Sequence, residues 1–559
     1  MDTRRIILFA AFALVIMMLF QKWEQYQYDK NPPVVETAAT GELSVPSSPT
    51  PSASDVDIPS TPSTQAVVAT PSVSETVVTT GELINVTTDL VQARINTLGG
   101  SIEYVGLSAH PLKLDQPADP VVLMQNSARE RYVGQSGLTG DSSNLPNHNT
   151  QYTVSQSDYV LGDADSSLEV NLNWTSTEGV DYIKTYTFSR DSYRADVKFS
   201  VVNNSAADWS AYFYGQLQRT DPERTEGGNI LTRPMPSFTG GAYYTPEEHY
   251  NKVSFSDMED DPLRFEAESG WVGMLQHYFV SAWLPKDDEK IQIFSSSSRG
   301  TTRENYKIGF LGLSELRLAP GQSGELGAAL YSGPKEQVRL DKQNSEGLKL
   351  TVDYGWLTVI AQPLFWVMSK LYDLLGNWGW AIIGVTVLIK LVFLPLSAKS
   401  YKSMAKMKKL APRLKTLKER HGDDKQKYQA AMMDLYKKEK INPASGCLPI
   451  LIQIPVFIAL YWVLLESVEM RQAPWALWIQ DLSSKDPYYI LPLLMGGSMF
   501  VQQLLNPAPM DPMQQKIMMA LPVVFTVFFL SFPAGLVLYW VVNNSLSILQ
   551  QWLITRRYA

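Results

Sequence analysis

Cysteine is almost missing from this chain: Cys447 is the only one in 559 residues. No intramolecular disulfide can therefore form in any compartment, and Cys447 reads as a small packing residue at a helix start. Histidine is scarce too. His110, His148, His249, His277 and His421 are scattered, without the spacing of metal ligands, so no metal site is expected. Neither a G-x-x-x-x-G-K-S/T loop nor an H-E-x-x-H helix occurs. The Gly-Gly pairs at 99–100, 227–228 and 240–241 read as turns rather than nucleotide cradles. The chain thus offers no catalytic constellation, no cofactor site and no energy-coupling site of its own. A non-enzyme without a small-molecule substrate is expected.

Long apolar runs are also missing from most of the chain. With 19% charged and 45% hydrophobic residues the averages look soluble, but residues 24–350 are polar while 354–555 carry nearly all the long apolar runs. One further run, Ile6–Phe20, follows Arg4 and Arg5 and could be a secretory signal. Small residues for cleavage are absent after it, since Phe20-Gln-Lys-Trp-Glu24 is bulky and charged. Residues 1–23 therefore read as an uncleaved membrane anchor, with Trp23 at the outer interface and the arginines holding the N-terminus in the cytoplasm. Residues 24–81, rich in Pro, Ser, Thr and Val over most of their length, read as a disordered linker.

From about Glu82 the pattern becomes β. Leu168-Glu-Val-Asn-Leu-Asn-Trp174 alternates strictly, and in Tyr193–Val201 the residues Tyr193, Ala195, Val197, Phe199 and Val201 share one face. Between them, Tyr182–Phe188 and the turn-like Ser189-Arg-Asp-Ser192 signal a hairpin. An exported β-sandwich over 82–345 is expected. Tyr243, Tyr244, Trp271 and Tyr278 could line a sugar or peptide cleft, although core packing is the plainer reading. The strip Gly270–Trp283 reads as one buried strand plus its turn.

Five further spans are drawn at about 378–397, 446–466, 489–506, 517–533 and 535–555. An amphipathic helix at 350–376 lies ahead of them at the outer interface. The loop 398–441 holds fourteen Lys or Arg against five Asp or Glu, a local charge of +9 in a chain of −8, so it should be cytoplasmic. Six spans with both termini cytoplasmic then satisfy every loop. Met407, Leu410, Leu414 and Leu417, followed by Tyr428, Met432 and Leu435, predict an antiparallel helical hairpin broken at Gly422-Asp-Asp424, each arm about 25–35 Å long. Its cations Lys402, Lys406, Lys408, Lys409, Arg413, Lys415, Lys418 and Arg420 suit docking to an acidic partner such as ribosomal RNA, or to lipid headgroups. A solvated face that only fixes topology is the blander alternative.

One charge stands alone in an apolar run, in Val385-Thr-Val-Leu-Ile-Lys390-Leu-Val-Phe-Leu-Pro395. A central lysine costs roughly 2.5–3.5 kcal/mol on translocon-based scales, unless it snorkels to the headgroups. Thr386 lies one turn away, and Gln453, Asn543, Asn544 and Ser545 are polar residues of other spans. Together they could line a water-accessible cavity. Residue types alone leave a transporter, a channel, an assembly factor and an anchored envelope-binding module all standing.

Ordered motifs narrow this. Asp353-Tyr-Gly-Trp-Leu, Ser403-Met-Ala-Lys-Met, Cys447-Leu-Pro-Ile-Leu-Ile-Gln-Ile-Pro455, Arg471-Gln-Ala-Pro, Asp486-Pro-Tyr-Tyr-Ile-Leu-Pro492, Asp511-Pro-Met-Gln-Gln-Lys and Phe532-Pro-Ala-Gly-Leu-Val-Leu-Tyr-Trp540 resemble the YidC family, the bacterial inner-membrane insertases of the Oxa/Alb superfamily. The resemblance is dense over 350–555 and looser through the exported segment. It implies a polytopic α-helical membrane protein. Six spans, a five-helix insertase core over 377–557 and a cytoplasmic helical hairpin would accompany a periplasmic β-supersandwich. It implies an inner-membrane location, with residues about 24–353 periplasmic, and a hydrophilic groove open to cytosol and lipid. Lys390, Thr386, Gln453 and Trp540 would serve that groove, with Tyr539, Asn543 and Asn544 beside them. Lys390 stands where the family usually has arginine and Trp540 where tyrosine is usual. Implied partners are nascent membrane-protein clients, the ribosome, the Sec translocon (SecYEG and SecDF) and the phospholipid bilayer.

Overall fold

The computed structural model describes residues 58–59, 81–127, 129–142, 144–221, 237–299, 303–343, 345–421, 424–439, 448–506 and 512–558. The expected anchor at 1–23, nearly all of the linker, Gly227–Gly228, the Gly422-Asp423 break and Cys447 lie outside them. The chain forms two compact units, one ending at Val352 and the other running from Asp353.

Strict alternation makes the first unit a sandwich of an eleven-stranded and a nine-stranded sheet. Strand Ser167–Thr175 buries Val170 and Leu172 and exposes Glu169, Asn171 and Asn173. The neighbouring strands Val180–Ser189 and Arg194–Asn203 form the expected hairpin. Asp191 in its turn takes a left-handed φ of 54°, which aspartate tolerates. Tyr193, Ala195, Val197, Phe199 and Val201 all point inward, at 5% exposure or less.

One charge is built into this core. Lys184 is fully buried, and its ammonium donates to the carbonyls of Gly99 (3.1 Å), Gly100 (3.0 Å) and Ser136 (3.0 Å). Lys184 belongs to the nine-stranded sheet. Ser136 lies in strand Arg131–Thr139 of the other sheet, and the two glycines form the turn between Val91–Asn96 and Ser101–Lys113 of that same sheet. A single side chain thus ties the layers together. The rings of Phe199, Tyr186 and Tyr152 lie 5.4, 5.5 and 5.9 Å from Nζ and add cation–π attraction. Burial holds the amine down at about 7. His148, with Nδ1 2.6 Å from the Tyr214 hydroxyl, is pushed to about 4 by burial first and by Lys184 and Arg131 after it.

Two expectations are corrected in this unit. Gly240 and Gly241 are not a turn but open strand Gly240–Thr245. A Cβ there would come within 2.8 Å of the Val253 carbonyl and 2.4 Å of Met258, so glycine serves close approach in a packed strand. The strip Gly270–Trp283 holds two antiparallel strands, Trp271–Leu275 and Phe279–Leu284. Gln276 N–H bonding to the Phe279 carbonyl closes the hairpin between them. Tyr243, Tyr244 and Trp271 are core residues, and the Trp271 indole donates to the Glu346 carbonyl. Tyr278 is half-buried, stacked on His277. Two short helices, α1 (Phe255–Asp260) and α2 (Gln337–Asp341), complete the unit.

The second unit is helical. In α3 (Thr358–Leu375) Ala361, Phe365 and Met368 recur at spacings of four and three and are buried, whereas Val359, Trp366 and Leu374 are exposed. Its outer side is therefore apolar as well, with Lys370 and Asp373 paired at 3.0 Å near its end. The next helix, α4 (Trp378–Val392), is N-capped by Asn377. It breaks at Phe393, and α5 (Leu394–His421) departs at 66°. The expected span 378–397 is thus two pieces. Pro395, which has no N–H to give to the preceding turn, accounts for the break.

With α6 (Lys425–Lys438), α5 forms the basic hairpin. Leu410 and Leu414 are its core, covered by Met407, Met432, Leu435 and Tyr436, and Arg413 pairs with Glu439 at 2.8 Å. At 1.5 Å per residue the arms measure about 42 and 21 Å, unequal because α5 already starts at Leu394.

The remaining helices are α7 (Leu448–Glu466), α8 (Ile490–Leu505), α9 (Pro512–Phe529) and α10 (Ala534–Tyr558). Ahead of α8, buried Asp486 accepts hydrogen bonds from the Trp478 indole (2.9 Å) and from the N–H groups of Tyr488 (3.0 Å) and Leu491 (2.7 Å). Among the described residues no single helix is long and apolar enough to cross a membrane by itself. The bent pair of α4 with Leu394–Leu410 is, and Gln453–Glu466, Ile490–Leu505 and Gln515–Phe529 are shorter apolar helices.

Candidate functional site

A polar stripe runs along α10 through otherwise apolar packing. Asn543, Ser547 and Gln551 recur every four residues and so share a face, with Asn544 adjacent, and all four are buried. Other elements answer them. Asn544 Nδ2 donates to Ser498 Oγ on α8 (3.1 Å), and Gln551 Nε2 donates to Asn506 Oδ1 at the end of α8 (3.1 Å). Lys390 Nζ on α4 donates to Ser547 Oγ (2.7 Å). The Ser547 hydroxyl in turn donates to the Asn543 carbonyl (2.8 Å).

Lys390 is only 3% exposed, so its ammonium ends inside the bundle and does not snorkel. Among the described residues no carboxylate pairs with it, and Ser547 is its one hydrogen-bond acceptor. Two of its three ammonium protons are uncommitted. Thr386, one turn earlier, is buried and donates its hydroxyl to the Ile382 carbonyl (2.6 Å), which leaves it only as an acceptor. Gln453 on α7 is half-buried and makes no hydrogen bond to this seam among the described residues.

Tyr539 and Trp540 act through their rings. Phe457 of α7 stacks on Tyr539 at 6.0 Å and meets Trp540 edge-on at 5.0 Å, and Phe529 of α9 meets Trp540 at 5.8 Å. The Trp540 indole N–H is buried without an acceptor among the described residues. Ser545 is corrected. It is exposed and bonds back to the Val541 carbonyl (2.7 Å), because one helical step from Asn544 rotates it about 100° off the seam. Ser547, which residue types alone did not single out, was findable as the i+4 continuation of Asn543.

On the hairpin, Lys402, Lys406, Lys408, Lys409, Arg413, Lys418 and Arg420 are exposed along α5, and Lys415 lies on the same helix. Arg413 is engaged with Glu439 and so serves the hairpin itself. The first turns of α5 bury Ser397, Ser400 and Tyr401, and α5 packs against α10.

A family model described as the YidC periplasmic domain matches residues 83–367, and one described as the 60Kd inner membrane protein matches 370–559. The membrane protein insertase YidC of Methylobacillus flagellatus is 48% identical over 558 residues, covering 100% of this chain and 97% of its own length. That of Stutzerimonas stutzeri is 47% identical over 564 residues, covering 100% and 99%. A solved structure of an active YidC insertase with its first transmembrane domain resolved is 17% identical at a TM-score of 0.37, over 84% of this chain and 94% of that one. On full-length identity near one half, the chain belongs to the YidC family of membrane protein insertases.

Proposed function

We propose that this inner-membrane insertase receives acidic segments of its nascent clients at Lys390, in the polar seam between α4 and α10. The observation that carries the reading is a buried ammonium that, among the described residues, has no carboxylate beside it and two protons uncommitted. Such a cation is costly in an apolar bundle, and a client carboxylate would offset that cost. As a lysine it supplies a point charge rather than a bidentate fork, so it attracts the client without fixing its plane. Thr386, Gln453, Asn543 and Asn544 complete the polar surroundings, and Tyr539 and Trp540 form the aromatic wall.

The client's apolar segment would slide along α7 and α9 into lipid. Ile454 on α7, with Leu521, Val523, Val524, Val527 and Phe528 on α9, presents an exposed apolar face that suits this path. About twenty apolar residues at roughly −0.3 to −0.6 kcal/mol each supply the driving force. For an acidic tail an outside-positive potential adds about 2.3 kcal/mol per charge per 100 mV. No covalent bond is made or broken.

The same reading has six spans with both termini cytoplasmic and the sandwich in the periplasm. The basic hairpin docks the ribosome, and the Sec translocon (SecYEG, SecDF) is a partner for larger clients. The charge of +9 over 398–441 supports that orientation. Replacing Lys390 by glutamate and measuring insertion of a small client with an acidic tail tests it. Insertion should fall, and unchanged insertion at normal protein level would refute the role of Lys390.

A further inference from the structure

Ser547 sits where a lysine without a fork needs help. Lys390 carries a spherical charge on four rotatable bonds, so nothing in its own chemistry sets the direction of its protons. The Ser547 hydroxyl has one donor and two acceptor positions. Its donor is spent on the Asn543 carbonyl (2.8 Å) of its own helix, and an acceptor faces Lys390 Nζ (2.7 Å). One hydroxyl therefore joins the cation of α4 to α10.

We infer that Ser547 is a positioning residue for client recognition, its hydroxyl orienting the Lys390 ammonium so that the two remaining protons meet a client carboxylate. This rests on the reception of acidic segments at Lys390. It adds that the discrimination of acidic from neutral tails depends on a hydroxyl that itself touches no client. Serine suits the role because its short side chain is locked by the i−4 carbonyl, so the acceptor stays fixed while the lysine reaches it.

The test uses the full chain in liposomes with two clients that differ only in their tails, one with Asp and Glu and the other with Asn and Gln at the same positions. The readout is the acidic-to-neutral insertion ratio, per amount of folded insertase, for wild type, Ser547→Ala, Ser547→Thr, Ser547→Val and Lys390→Met. The ratio should fall about tenfold in Ser547→Ala, the fold-change that corresponds to a charge-assisted hydrogen bond of about 1.5 kcal/mol. Threonine should restore most of it. Valine, of the same shape but without the hydroxyl, should not, and this pair decides the matter if the alanine variant accumulates poorly. Adding Ser547→Ala to Lys390→Met should change nothing further. An equal fall for both clients, with the ratio intact, would make Ser547 a packing residue and overturn the inference. A ratio that collapses in Lys390→Met but holds in Ser547→Ala and Ser547→Val would overturn the inference alone. A ratio unmoved by Lys390→Met would overturn client reception at Lys390 as well.

Discussion

Replacing Lys184 by methionine should abolish a pH dependence that the sandwich otherwise has. A free lysine titrates near 10.5, whereas burial holds Lys184 at about 7. Between those values the unfolded chain carries a proton that the folded chain lacks, so stability rises with pH across that window and is lowest below about 7. Linkage between the two values gives a gain of about 2–3 kcal/mol from pH 6 to pH 9. The three carbonyl acceptors favour the charged form and so reduce this figure. In the methionine variant the Gly100 carbonyl keeps the Tyr186 hydroxyl as donor, while those of Gly99 and Ser136 lose theirs, at about 1–3 kcal/mol each. The variant should therefore fall furthest below wild type at pH 9 and come closest to it at pH 6. Pulse proteolysis of the full chain in detergent, across a urea series at each pH, reads the midpoint of the sandwich. A wild-type midpoint that is flat from pH 6 to 9, or an equal slope in Lys184→Met, would refute the reasoning.

Leu414→Ala should loosen the cytoplasmic hairpin by about 2–3 kcal/mol, since Leu410 and Leu414 form the buried cluster between its arms among the described residues. Hydrogen exchange over α5 and α6 should then rise while exchange in α4 stays as it was, and unchanged protection would contradict that packing. Asp486→Ala strips three hydrogen bonds from the approach to α8 and should cost about 3 kcal/mol or more. Asp486→Asn, which keeps acceptor capacity, should recover part of the thermal stability of the purified chain. Equal losses in the two variants would argue against the capping role.

Period-two alternation exposed the sandwich in sequence because its strands are buried on one face, as Val170 and Leu172 against Glu169 and Asn171 make plain. The hairpin was legible for the same kind of reason: Leu410 and Leu414 recur on a helical period in a polar stretch. Lys390 stood out as the lone charge in an apolar run. Less was legible where a contact from another element decides the outcome. Gly240 and Gly241 read as a turn until Val253 and Met258 pack against them, and the turn at Gln276 divides what reads as one strand. Lys184 occupies the inward register with Tyr182, Tyr186 and Phe188. Its acceptors, however, lie 48 to 85 residues away along the chain. Ser547 is likewise separated from Lys390 by 157 residues, so only the fold makes them partners.

Lys390 as the point where the acidic segment of a client arrives is tested most directly by proximity. A photo-crosslinking side chain at position 386 of the full chain, one turn from Lys390 on the same helix and leaving that cation in place, should capture residues of the acidic tail of a ribosome-stalled client. Adducts should move along the client as the stalled length grows, and shift to the apolar segment's neighbours only in longer chains. Capture confined to the apolar segment at every length, or no capture of the tail at all, would contradict the account.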